Sequence, residues 1–151
     1  MWKNNFRTYT YRGISEDNIT DLAVCDKIIQ NMFNNAILHM GDKRTFESGF
    51  SKLKSSSIEL IKIITKEDNA VVLNRAFDLG VAKNADYGES NILKFGLIGI
   101  LVRLGDKLAR IQNLLSSQGS PNIKNEKIED TLLDMINYST YGQMLNDGIW
   151  K

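Results

Sequence analysis

Proline is almost missing from this 151-residue chain: Pro121 stands alone, as do Cys25 and His39. Proline removes a backbone N–H and breaks helices, so its scarcity leaves long helices free to run. One cysteine excludes an intramolecular disulfide and fits a reducing interior. Within DLAVCDKII, Cys25 reads as a small core residue. His39 closes a helical pattern, where the negative end of the helix dipole suits it as a capping or packed residue. Charge of one sign is lacking as well. Nineteen Lys and Arg face eighteen Asp and Glu, a formal net charge of +1. That balance gives no case for non-specific binding to nucleic acid or to an anionic membrane. No segment approaches the roughly eighteen apolar residues of a membrane span, and MWKNNFRTYTYRG lacks the apolar run of a signal peptide. The expected location is the cytosol, of a cell or of an infected host.

What is present suits one domain over 1–151. Hydrophobic residues make up 42% and charged residues 25%, an ordinary globular balance that can bury a real core. FRTYTYRG alternates and predicts a short strand or arm. From Ser15 or Asn18 as cap, apolar positions at Leu22, Cys25, Ile28, Ile29, Met32, Ala36 and Met40 predict a first helix. After a GDKR turn, Phe46, Phe50, Leu53, Ser57, Leu60, Ile61 and Ile64 predict a second. A third turns Ala70, Leu73, Phe77 and Val81 inward. KNADYGESN predicts a loop at about 84–91. The fourth helix is expected over about 93–115, SSQGSPN as linker, and the last helix over about 125–145. Five long helices with short loops predict an all-α bundle.

Two charged stripes stand out. In LVRLGDKLARI, Arg103, Asp106, Lys107 and Arg110 fall within roughly 100° of arc, beside an apolar face of Leu101, Leu104, Leu108 and Ile111. On the last helix, Glu126, Asp130, Asn137, Tyr141 and Asp134 share one side, opposite Ile128, Leu132, Met135 and Ile136. Acids at i, i+4 and i+8 repel by a few tenths of a kcal/mol per pair, tolerable where water screens them, bases face them or a cation sits among them. Surface salt bridges worth about 0–1 kcal/mol each are one reading of the two stripes. The other is a shared site: carboxylates suit Mg²⁺, and Arg and Lys suit phosphate oxygens.

The blocks KNADYG, GILVRLGDKLARI and EKIEDTLLDMINY, in that order between Lys83 and Tyr141, resemble the nucleotide modification associated domain, type one, an all-α family of phage and bacterial nucleotide metabolism. Residues 1–80 are a helical extension with no recognised motif. More distantly the blocks resemble the MazG-like nucleoside triphosphate pyrophosphohydrolases. Those enzymes bind Mg²⁺ through Glu-x-x-Glu and Glu-x-x-Asp on adjacent helices. Here Asp106 is alone on its helix, Asp130-x-x-x-Asp134 departs from that spacing, and Glu126-x-x-Glu129 matches it.

Three readings follow. In the first, the chain hydrolyses a (d)NTP to monophosphate and pyrophosphate. Asp106, Asp130 and Asp134 are the catalytic acids and, with Glu126, the Mg²⁺ ligands; Arg103, Lys107 and Arg110 neutralise phosphates. Asn84 and Tyr87 of KNADYG close over base or sugar, with Gly88 letting the chain turn tightly, and Lys83, Asp86, Gly88, Asn137 and Tyr138 join them as ligand-binding residues. In the second, the same residues bind a modified or cyclic nucleotide without turnover. In the third, the stripes pair across a homo-oligomer, with the two amphipathic helices of residues 14–64 as a dimer face.

Overall fold

A computed structural model describes residues 13–88, 90–116 and 121–149, with the backbone alone described for 121–126. The expected strand before Gly13 and the SQGS part of the linker (117–120) lie outside these residues. The described residues form an all-α bundle: α1 Glu16–Leu38, α2 Lys43–Thr65, α3 Asn69–Tyr87, α4 Ser90–Leu93, α5 Gly96–Ser116 and α6 Pro121–Asn146. Among them no helix is long and apolar enough to cross a membrane.

Local chemistry sets the helix ends. Ser15 caps α1 in a capping box: its hydroxyl accepts from the Asn18 N–H, and Asn18 Oδ1 accepts from the Ser15 N–H at 2.8 Å. Asp42 and Asp68 cap α2 and α3 by accepting from the N–H of Thr45 and Val71, at 2.7 and 3.0 Å. His39 and Lys66 take left-handed backbone where α1 and α2 stop. The first helix therefore ends at Leu38, and Met40 is exposed instead of facing the core.

The largest change from expectation surrounds KNADYGESN. The segment stays helical through Tyr87, so the loop shrinks to a break at Gly88 (φ 84°), followed by α4 and then α5 from Gly96. Of the Asn, Asp and Gly residues that predict the loop, Gly88 alone breaks the helix, taking positive φ, while Asn84 and Asp86 stay within α3. At the other end Pro121 opens α6 earlier than expected, where its missing N–H costs nothing.

Helix α6 is the axis of the bundle, with α2, α5 and α3 packed around it. Consequently every residue from Thr131 to Ile136 is buried, polar and apolar alike. The core runs through Phe50, Leu53 and Ile61 of α2, Leu104, Leu108 and Ile111 of α5, and Ile128 and Leu132 of α6. The apolar faces of α1 and α2 are spent inside the chain, with Leu22, Cys25 and Met32 meeting Phe46 and Phe50 in the same core. Helix α3 is turned the opposite way from expectation. Val72, Ala76 and Gly80 face inward, while Ala70, Leu73, Phe77 and Val81 are exposed, Phe77 by 69%. The small residues win the inner face because they let α3 lie close to α6. A β-carbon on Gly80 would stand 2.8 Å from the Tyr141 hydroxyl and 3.2 Å from Asn137 Nδ2.

Candidate functional site

That close approach builds a cleft. Helix α3 is tied to α6 at three levels. The Arg75 guanidinium pairs with Glu129 at 3.3 Å and with Glu67 beside it. Asn137 Nδ2 donates to the Ala76 carbonyl at 2.8 Å. Lys83 Nζ reaches Asp134 Oδ1 at 2.6 Å. Past the third tie α3 ends, and α4 and the first half of α5 turn back over the gap. They enclose a cavity of about 340 Å³.

Its floor is charged. Asp134 is buried on α6: its Oδ1 accepts from Lys83 of α3, and its Oδ2 is ion-paired with Lys107 of α5 at 2.9 Å. A carboxylate withdrawn from water costs several kcal/mol unless it is paired, and here each oxygen has a cation. Each ammonium carries three donors, so one is spent on Asp134 and two remain to each lysine. Arg103, one turn before Lys107, lies over the Tyr138 ring with Cζ 5.6 Å from its centroid. Tyr138 in turn meets Tyr141 edge to face, centroids 6.1 Å apart at 83°. Burial pushes the Tyr141 phenol up from its ordinary 10.0, with Tyr138 and the Asp134 charge adding to the rise, against a hydrogen bond with the Asn84 side chain. At neutral pH it is an uncharged hydroxyl. Tyr87, Asn91 and Ile92 close the outer side.

The structure thus collects Lys83, Asn84, Tyr87, Arg103, Lys107, Asn137 and Tyr138 of the expected ligand-binding set around one cleft, with Asp134 beneath them. Asp86, Gly88 and Arg110 are exposed and do not line it. Arg110 lies about 10 Å further along α5 than Arg103 at 1.5 Å per residue, beyond the end of the gap. Asp106 and Asp130 are exposed too. The first is rotated by about 60° from Arg103, and the second sits one turn from Asp134, where α6 is open to solvent. Glu126 falls among the residues whose side chains lie outside the description. Among the described residues no three of His, Cys, Asp and Glu come together as a metal-ligand group. Tyr141 and Gly80 also line the cleft, and helical spacing could have found both. Tyr141 shares a stripe with Asp134 and Asn137, and Gly80 lies one turn before Lys83. Asn91 and Ile92 arrive through the break at Gly88, which no periodicity announces.

The fold and site define a helical-bundle protein with a cationic, tyrosine-lined cleft. Residues 83–145, which supply every cleft-lining residue except Gly80, match the family model described as nucleotide modification associated domain 1. The matched part is similar to that family, and it spans under half of the chain. No curated protein and no solved structure matches the chain.

Proposed function

We propose that the protein binds a nucleotide in the cleft between α3, α5 and α6, with its phosphate on Lys83, Lys107 and Arg103. One observation carries this reading: among the described residues, three cations converge on a concave site with a single carboxylate and three tyrosine rings. The free N–H donors of the lysines and the guanidinium suit phosphate oxygens, for which charge-assisted hydrogen bonds are roughly twice as strong as neutral ones. Tyr87, Tyr138 and Tyr141 offer faces for a base, and Asn84, Asn91 and Asn137 offer amide donors and acceptors for its edge. The likeness of residues 83–145 to a nucleotide modification associated domain supports the same ligand class.

Binding, and not metal-assisted hydrolysis, is the function the geometry supports best. Asp134 already has both oxygens engaged by lysines, and Asp106 and Asp130 stand in solvent away from it. A Mg²⁺ carrier needs carboxylate oxygens free to face the phosphates. Calorimetry with a panel of nucleotides, run once in EDTA and once in Mg²⁺, tests the proposal, with pyrophosphate release measured in parallel. Binding that persists in EDTA without pyrophosphate release is the expected result. Binding or turnover only with Mg²⁺ would favour the pyrophosphohydrolase reading, and no binding in either buffer would refute both.

A further inference from the structure

We infer that the cleft is matched to a nucleoside monophosphate, in preference to the corresponding di- or triphosphate. The inference rests on the binding reading above and narrows it by charge and by size. Lys83, Arg103 and Lys107 against Asp134 leave an excess of two positive charges facing the cavity. A phosphate monoester carries about −1.5 to −2 at neutral pH, which this excess neutralises. Each further phosphoryl group adds roughly one more negative charge, and among the described residues no other cationic side chain lines the cleft to meet it. Among the described residues the one carboxylate that lines it meets a lysine at each oxygen, and that positive charge disfavours a metal ion there to make up the difference.

Size points the same way. The 340 Å³ cavity lies at the lower end of the roughly 300–1,000 Å³ range of small-molecule sites. One nucleoside with one phosphate fills such a volume, and a triphosphate tail has to leave it. Asp134 then acts as a positioning residue. It holds one ammonium group at each of its oxygens and lowers the charge of the site from three to two.

The test uses the full chain in EDTA and, for each of the four common bases, the 2′-deoxynucleoside and its 5′-mono-, di- and triphosphate. In the series that binds best, the monophosphate is expected to bind at least tenfold more tightly than both the nucleoside and the triphosphate. Asp134→Asn, which adds one net positive charge, is expected to narrow or invert the preference over the triphosphate. Should that variant fail to fold, Arg103→Gln is expected to cost the monophosphate about tenfold more than it costs the nucleoside. A triphosphate that binds tightest to the unaltered chain overturns the inference and leaves nucleotide binding standing. A monophosphate no better than its nucleoside overturns the role given to the three cations. Silence across the whole panel overturns the binding reading beneath.

Discussion

Two helix-interior glycines, Gly105 of α5 and Gly142 of α6, give a test of the packing around the central helix. Replacing glycine by alanine inside a helix ordinarily gains up to about 1 kcal/mol from backbone propensity. Both sites would share that gain if the chain were judged by helix position alone. The surroundings separate them. A β-carbon at 105 meets only Ile29 Cγ2 at 3.9 Å, an ordinary contact. At 142 it would stand within 2.7 Å of three ring carbons of Phe50, which is fully buried between α2 and α6. Carbon atoms pack best at about 3.5–4.0 Å, so ring or helix must move by about 1 Å in a core with no room to spare. Overpacking of this kind costs about 1–3 kcal/mol, and the rigid ring places Gly142 at the upper end. Gly105→Ala should therefore stabilise by about 0.5–1 kcal/mol, and Gly142→Ala should destabilise by about 2 kcal/mol. Because the propensity gain is common to both, the difference of about 3 kcal/mol isolates the clash. With a urea slope of about 2 kcal/mol per molar, the two midpoints should differ by about 1.5 M. Equal midpoints would refute the close seating of Phe50 against α6, and with it the placement of α6 as the axis that carries Asp134 into the cleft.

Further outcomes follow from the same geometry. Asn137→Ala removes the bond to the Ala76 carbonyl and should lower stability by about 1 kcal/mol, seen as a shift in urea midpoint without a change in slope. Phe77→Asp places a charge on the exposed face of α3 and should leave the melting temperature nearly unchanged, within the ±0.5 kcal/mol usual for surface sites. A large loss of stability would show that this face is covered, and a lower mass by light scattering would show that a second copy covers it. Burial raises the Cys25 thiol above its ordinary 9.0 and the Tyr141 phenol above its ordinary 10.0. Raised values mean that both groups favour folding while protonated. Their contribution is complete below pH 9 and is lost as pH climbs through their folded values. The urea midpoint should fall on going from pH 8 to pH 11, and Tyr141→Phe should flatten the part of that fall above pH 10. An identical slope in the variant would count against burial of the phenol.

Local chain chemistry was enough to set the helices and much of the core. Local signals decide these: the apolar spacing of α1 and α2, the Ser15 cap, and the period that puts Leu104, Leu108 and Ile111 on one face all act within a turn or two of chain. It also marked Arg103, Lys107 and Asn137 by their helical faces, whereas Lys83 was singled out only by the KNADYG block. Tertiary structure alone decided how those faces are partnered. An amphipathic pattern says that a stripe is apolar, not which neighbour will cover it. On α3 the small residues Ala76 and Gly80 won the inner side because only they allow the approach that Tyr141 and Asn137 require, and the larger Leu73, Phe77 and Val81 were left outside. On α6 the stripe of acids was divided. Asp130 remained in water, whereas Asp134, one turn on, was enclosed by α3 and α5 and met there by two lysines. Burial is a property of the surrounding elements and not of a residue's own helix, so one carboxylate became the floor of a cleft and its neighbour a surface charge.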